Sequence, residues 1–181
     1  MMDFSILYAI QKLHTPLLDR LILGLTKLAG NYGQIWVILA VVLCTFRKTR
    51  KSGLAMLLSY GLVYVIGQYG LKDLIARARP CHIDETVALL VKRPSSYSCP
   101  STHSAWAFAA AASVFAYHKK AGIAVIAIAA LIAFSRLYLF VHFPTDVLFG
   151  AVLGALCGVI AALLVSLVWR KITKTKAADE S

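Results

Sequence analysis

The chain has 181 residues, of which 60% are hydrophobic and only 15% are charged, and its mean hydropathy is +0.75. This composition excludes an ordinary water-soluble protein and indicates an integral membrane protein. The formal net charge of +11 raises the possibility of nucleic-acid binding, but the basic residues lie in short connections between apolar segments. We therefore interpret them as the positive residues that flank membrane spans on the cytoplasmic side.

The segments in chain order predict an all-α, polytopic membrane bundle of about six transmembrane helices. Residues 3–13 predict a short N-terminal amphipathic helix at the membrane surface. Charge-poor windows then predict the spans, the first of which is weakened by Lys27. These windows are residues 17–29, 35–46, 53–71, 104–117, 122–134 and 147–169. No internal repeat or linker is evident, so we expect a single domain over residues 1–181 with its motifs within residues 50–170.

The basic clusters predict how the bundle is oriented. Residues 47–51, 119–120 and 170–176 carry most of the lysine and arginine, and six spans place all three clusters on one side together with both termini. The positive-inside rule makes that side the cytoplasm. The connections at 72–103 and 135–146 are then expected to open on the extracytoplasmic face.

Those two connections hold nearly all of the polar chemistry. The residues concerned are Lys72, Arg79, Ser101, His103, Arg136, His142 and Asp146. Ionisable groups at membrane depth are costly and indicate function, so their convergence on the ends of several helices predicts one site. Three cations suit an anion of about two negative charges, and the free backbone N–H groups where an apolar helix begins at residues 101–102 also favour phosphate.

The two histidines add a reaction to this anion site. One imidazole can attack phosphorus, while a second, protonated, imidazole can donate a proton to the leaving oxygen. Asp146 follows His142 by four residues, with Pro144 suited to the first turn of the last helix. Asp146 is therefore expected to hold the second ring nitrogen of His142 and to fix its tautomer.

Three motifs give the chain a family resemblance. They are KDLIARARP at 72–80, CPSTHS at 99–104 and SRLYLFVHFPTD at 135–146. Their order and spacing resemble the membrane-bound type 2 phosphatidic acid phosphatase family over about residues 50–170. Small chains of this kind, with a short N-terminal amphipathic segment, resemble bacterial undecaprenyl diphosphate phosphatases.

The resemblance implies a role for each matching residue. His142 is implied as the nucleophile that forms a phosphohistidine, Asp146 as its orienting partner and His103 as the acid for the leaving group. The implied phosphate-binding residues are Lys72, Arg79, Ser101, Thr102, Ser135 and Arg136, and no metal or cofactor is implied. Thr102 stands where the family commonly has glycine, and a threonine is strained there if the position needs a positive φ. We expect this departure to alter substrate preference or rate.

Several alternatives stay open for individual residues. Each polar group taken alone is compatible with a structural role, and a metal site at His142, Asp146 and His103 is disfavoured by the three neighbouring cations. A thiol phosphatase built on Cys99 would need an arginine where the sequence has Ala105. Cys81 and Cys99 bracket the outer connection, so a disulfide between them is a hypothesis.

We expect metal-independent hydrolysis of a membrane lipid phosphate or diphosphate at the extracytoplasmic face of the plasma membrane. Undecaprenyl diphosphate is the favoured substrate, with phosphatidate and phosphatidylglycerophosphate as alternatives. The expected partners are the lipid substrate and the bilayer, without nucleic acid. Two other functions stay open: a lipid-phosphate binding or transport protein without turnover, and a phosphotransferase to an acceptor other than water.

Overall fold

A computed structural model describes residues 2–30 and 33–179. The regular structure within these ranges is entirely helical, which confirms the predicted all-α class. The helices are α1 (Met2–Gln11), α2 (Pro16–Ala29), α3 (Gln34–Thr45), α4 (Arg50–Val63), α5 (Lys72–Ile75), α6 (Pro80–Ile83), α7 (Thr102–Tyr117), α8 (Lys119–Tyr138) and α9 (Pro144–Asp179). A π-helical segment, Tyr64–Leu71, joins α4 to α5.

Helix α7 forms the centre of the bundle and packs against α4, α8 and α9. Its buried face is rich in alanine. Gly150, Gly154 and Gly158 of α9 lie against α7 so closely that a Cβ added at Gly154 would overlap the backbone of Ala105. Small residues allow the two backbones to approach, which is how apolar helices associate when lipid surrounds them.

The apolar helices differ in length from the predicted spans. Within residues 2–30 and 33–179, three segments are long and apolar enough to cross a membrane alone, namely Arg50–Ile83, Lys119–Tyr138 and Pro144–Thr175. Helices α2 and α3, with 14 and 12 residues, meet that criterion only as a pair bent by 56°. Helix α7 has 16 residues. The polytopic helical bundle is thus confirmed, but the six predicted windows do not each form a span-length helix, which needs roughly 20 residues.

Helix α1 lies at the end of the bundle where α9 begins. Asp3 of α1 contacts Arg77 at 2.8 Å, and Leu7 is buried with Phe140 and Phe143 just before α9. Helix α9 then runs for 36 residues from this end of the bundle. The side of the membrane on which each terminus lies stays a prediction at this point.

All four cysteines are free thiols in the structure. The hypothesis of a Cys81–Cys99 disulfide is therefore wrong for this structure. Cys81 packs instead in an apolar cluster with Leu7, Phe140 and Phe143. Burial and the nearby Asp146 carboxylate raise the pKa of Cys99 to about 11. A thiol with so high a pKa carries little thiolate at neutral pH, which agrees with the exclusion of a cysteine nucleophile.

Candidate active site

The predicted site residues meet around one cavity of about 600 Å³. It lies where α5 and α8 end and where α7 and α9 begin. Six of the nine predicted residues line it, namely Lys72, Arg79, Thr102, His103, Arg136 and His142. The connection between α6 and α7 also lines the cavity, and it adds the side chains of Lys92 and Arg93. Four separate parts of the sequence therefore contribute to a single site.

The backbone before the cavity changes conformation twice. The π-helical segment ends at Leu71, directly before Lys72, and π-helical turns are frequent at functional sites. Ala76 then adopts the left-handed conformation, with φ 48°, and ends α5. Arg79 is extended, and Pro80 begins α6 because a proline suits the first turn of a helix. These changes allow Lys72 and Arg79 to line the same cavity although they lie on different elements.

The Arg79 guanidinium is held entirely by neutral groups. Its Nη1 donates to the carbonyl oxygen of Val141 at 2.8 Å, and its Nε donates to the carbonyl oxygen of Ser96 at 2.7 Å. Nη2 donates to Tyr97 O and to Ser96 Oγ, each at 3.1 Å. Arg79 is only 4% exposed, so this planar cation is fixed in place without a carboxylate partner.

Lys72 and Arg136 are buried in the same way. Lys72 Nζ donates to Gln68 Oε1 at 3.2 Å and to Ser96 Oγ at 3.4 Å. Arg136 Nη2 donates to Thr26 Oγ1 at 2.6 Å. The two residues are 4% and 5% exposed, and in the described ranges neither forms a salt bridge. Buried charges without a counter-ion are costly, so these three cations define a site for an anion.

His142 lies against Arg79 and is 2% exposed. Its Nε2 is 3.0 Å from Arg79 Nη1. Since a guanidinium only donates, Nε2 accepts this hydrogen bond and carries the lone pair, which leaves the proton on Nδ1. Burial, together with the positive charges of Arg79 and Lys72, lowers the pKa of His142 to about 3. The imidazole is therefore neutral, with Nε2 directed at the cavity-lining arginine.

The Asp146 carboxylate is fully buried and does not bond His142 directly. Its Oδ2 lies 3.8 Å from His142 Nδ1, which is too long for a hydrogen bond. Ser98 lies between the two groups, because its Oγ donates to Asp146 Oδ2 at 2.5 Å and is 3.4 Å from His142 Nδ1. The predicted orienting contact therefore runs through a serine. Sequence reasoning missed Ser98, which precedes the second motif and has no spacing signal of its own.

His103 sits in the first turn of α7 on the other side of the cavity. Its Nε2 is 3.0 Å from the carbonyl oxygen of Gly30. A carbonyl only accepts, so Nε2 carries a proton in this arrangement. The described residues contain no group of three or more His, Cys, Asp or Glu side chains placed to hold a metal ion.

Ser101 and Thr102 differ from the expected phosphate cradle. The backbone N–H of Ser101 donates to the backbone oxygen of Asp146 at 3.1 Å, so it is not free for a ligand. Its hydroxyl lies 2.9 Å from Ser104 Oγ, and the residue is fully buried. Thr102 is the first residue of α7, lines the cavity and has no positive φ. The expected backbone strain of a threonine at this position is therefore absent.

Ser135 supports Arg136 and does not line the cavity. Its Oγ accepts from Arg136 Nε at 3.1 Å and from Nη2 at 2.9 Å. The same hydroxyl donates to the carbonyl oxygen of Ile132 at 2.6 Å, which fixes its direction. Ser135 thus orients the arginine that follows it in the chain.

Comparison with known proteins identifies a family and several relatives of this chain. The model of the PAP2 superfamily matches residues 48–170. The undecaprenyl-diphosphatase of Sulfolobus acidocaldarius is 32% identical over 135 residues, covering 73% of this chain and 65% of that protein. Phosphatidylglycerophosphatase B of Bacillus subtilis is 37% identical over 172 residues, covering 85% of this chain and 78% of that protein. The match to the Sulfolobus protein thus spans slightly less than two thirds of its length.

Two solved structures share the fold. The first transmembrane PAP2 type phosphatidylglycerolphosphate phosphatase from Bacillus subtilis aligns with a TM-score of 0.72 and 34% identity, over 94% of this chain and 86% of that chain. LpxE of Aquifex aeolicus aligns with a TM-score of 0.70 and 30% identity, over 89% of this chain and 94% of that chain. Both similarities extend over nearly the whole bundle.

Proposed function

The chain belongs to the PAP2 superfamily, and from this membership we propose that it removes phosphate from a membrane lipid phosphate or diphosphate. Undecaprenyl diphosphate is the favoured substrate, because one relative is named for that reaction and because Lys92 adds positive charge to the cavity. Phosphatidate and phosphatidylglycerophosphate belong to the same substrate class, and a second relative is named for the latter.

The group of three buried cations beside a neutral histidine carries this proposal. Lys72, Arg79 and Arg136 face one cavity and have only neutral partners there. A phosphate group supplies the missing negative charge and can take the place of neutral acceptors at both guanidinium groups. His142 lies within hydrogen-bond distance of Arg79, so a phosphate bound by Arg79 is next to Nε2. Binding alone does not need a neutral imidazole at that point.

The proposed reaction proceeds in two displacements. In the first, the phosphate replaces His142 Nε2 as an acceptor of Arg79 Nη1, and the freed lone pair of Nε2 attacks phosphorus. A P–N bond forms, and the P–O bond to the leaving group breaks. Burial and the neighbouring cations disfavour the protonated form of His103, and the bound phosphate anion offsets this effect. The protonated His103 then gives Nε2–H to the leaving oxygen in place of Gly30 O. In the second, a water that gives its proton to His103 attacks phosphorus, breaks the P–N bond and releases inorganic phosphate. The three cations stabilise the charge on the phosphoryl oxygens throughout.

The remaining predicted residues act indirectly in this proposal. Ser98, which donates to Asp146, accepts from His142 Nδ1–H and thereby keeps the lone pair on Nε2. Ser135 orients Arg136. Thr102 lines the cavity at the start of α7, where its backbone N–H and the helix dipole favour an anion, and Ser101 fixes that start against α9.

We further propose that the site faces the extracytoplasmic side of the plasma membrane. The basic clusters at 47–51, 119–120 and 170–175 lie at helix ends remote from the cavity, and the positive-inside rule puts those ends in the cytoplasm. The C-terminus is then cytoplasmic, whereas α1 lies on the same side as the site. A lipid can present its phosphate to the cavity while its tail stays in the bilayer.

Phosphate release from a defined lipid tests the proposal. Detergent-purified protein is incubated in excess chelator with undecaprenyl diphosphate or with phosphatidate, beside His142→Ala and the control His118→Ala, which alters a histidine outside the cavity. We expect stoichiometric release by the wild type and by His118→Ala, and a loss of at least about a thousandfold in His142→Ala. Lipid binding without release would indicate a binding or transport protein. Loss of substrate without free phosphate would indicate transfer to another acceptor.

A further inference from the structure

Arg77 lies between two carboxylates and outside the residues that line the cavity. Its Nη1 donates to Asp146 Oδ1 at 2.6 Å, and its Nη2 donates to Asp3 Oδ2 at 2.8 Å. The guanidinium also lies over the Phe143 ring, 4.1 Å from its centre. The two ends of one planar fork therefore connect the N-terminal helix to a fully buried aspartate.

Arg77 completes the contacts of the Asp146 carboxylate. Oδ2 already accepts from Ser98 Oγ at 2.5 Å and from the Phe143 backbone N–H at 2.9 Å. Oδ1 accepts from Arg77, and this contact prevents the carboxylate from turning about its bond to Cβ. Arg77 also fixes the serine, because its backbone oxygen accepts from the Ser98 backbone N–H at 2.8 Å. One residue thus contacts both Ser98, which reaches His142 Nδ1, and Asp146, which acts on it through Ser98.

The N-terminal helix in turn fixes Arg77. Asp3 Oδ2 accepts from Arg77 Nη2 and, at 2.8 Å, from Thr145 Oγ1. Phe4 packs edge-on against Phe143, with 5.1 Å between the ring centres. These contacts hold α1 over the start of α9, directly beside Asp146. Arg77 is 34% exposed on its side chain, and α1 is the element that keeps this partly exposed cation in a single orientation.

We propose that Arg77 is a positioning residue that aligns His142 through Asp146 and Ser98, and that α1 locks Arg77 through Asp3. This inference rests on the proposed role of His142 as the nucleophile. Arg77 does not line the cavity, so it sets the rate of the chemical step and has little effect on lipid binding. The N-terminal helix is then part of the catalytic apparatus in addition to being a surface element.

Steady-state kinetics of three variants separate this role from phosphate binding. We expect Arg77→Ala to lower kcat by about 10- to 100-fold, with a change in KM below about twofold, because a small misplacement of a reacting group is enough for such a loss. Arg77→Lys should recover only part of kcat, since an ammonium cannot bridge both carboxylates in the plane of a fork. Asp3→Asn keeps an oxygen acceptor and should lower kcat by about threefold to tenfold.

The matched control removes a different polar contact of α1. Tyr8 donates its hydroxyl proton to Asp84 Oδ2 at 2.7 Å, away from Asp146, so Tyr8→Phe should keep the wild-type kcat. Thermal unfolding of each variant identifies folded protein, and Asp3→Asn tests the inference if Arg77→Ala does not fold. A folded Arg77→Ala or Asp3→Asn with wild-type kcat would overturn it, as would a loss confined to KM. Failure of the proposed function is distinct, because the wild type would then release no phosphate or His142→Ala would retain activity.

Discussion

Ser98 donates from its Oγ to Oδ2 of Asp146 at 2.5 Å and stands where a direct contact between Asp146 and His142 was expected. The carboxylate therefore reaches the imidazole through a hydroxyl that can donate to the acid and accept from His142 Nδ1–H at the same time. Removing this hydroxyl breaks the connection between the Asp146 carboxylate and the His142 imidazole and leaves both side chains in place.

Ser98→Ala should lower kcat by about tenfold to a hundredfold, because His142 loses the group that keeps its proton on Nδ1. The measurement is phosphate release at saturating lipid. Ser113→Ala is the matched control, since Ser113 Oγ is also buried and hydrogen-bonded, to Ser59 at 3.1 Å, but lies outside the cavity. Equal kcat values for the two variants would show that Ser98 has no part in orienting His142.

Ser135→Ala should raise KM by about threefold to tenfold with a smaller change in kcat. Arg136 then loses the oxygen that accepts from both Nε and Nη2, so its fork is no longer aimed at the bound phosphate. Ser166→Ala, which removes a hydroxyl 2.9 Å from Tyr117 outside the cavity, serves as control. An unchanged KM in folded Ser135→Ala would contradict the role assigned to Ser135.

The pH dependence of stability tests the neutral state of His142. Burial and the neighbouring cations lower its pKa from the ordinary 6.5 to about 3, so the folded protein keeps it neutral while the unfolded chain binds a proton below 6.5. Stability is therefore complete above pH 6.5 and falls as the pH decreases below it. At about pH 5 the free energy of unfolding is lower by roughly 2 kcal/mol than it is above pH 6.5.

Denaturant unfolding in detergent, at about pH 7.5 and about pH 5, provides the comparison. The wild type should lose more free energy of unfolding between the two values than His142→Gln does, by roughly 2 kcal/mol. Identical losses in the two proteins would mean that His142 is not held neutral by the fold.

The structure predicts opposite effects for two glycine substitutions, one at the α7–α9 contact and one in α4. A Cβ at Gly154 would overlap the Ala105 backbone, so Gly154→Ala should destabilise the protein by about 1–3 kcal/mol. Gly61, in α4, has no neighbouring atom within 4 Å, so Gly61→Ala should be neutral or stabilising by up to about 1 kcal/mol. Unfolding free energies measured under one condition check both values. A destabilised Gly61→Ala with a stable Gly154→Ala would contradict the packing.

The sequence predicted the helical class and the convergence of the cavity-lining residues, because apolar windows and the three motifs can be recognised within short stretches of the chain. It did not predict the bent pair of α2 and α3, since two short apolar helices resemble two spans when only composition is considered. The contacts of Arg77 and Ser98 were not predicted. Both residues donate to the Asp146 carboxylate after a turn at Ala76, and such contacts produce no periodic pattern in the sequence.

Capture of the covalent intermediate tests the central claim most directly. The protein is mixed with a lipid diphosphate labelled in its terminal phosphate, quenched with alkali within one turnover, and assayed for protein-bound label. The wild type should carry label that is stable to alkali and released by acid, as expected for phosphohistidine, at a peptide containing His142, and His142→Ala should carry none. Label that persists in His142→Ala, or turnover without any bound label, would contradict a nucleophilic role for His142.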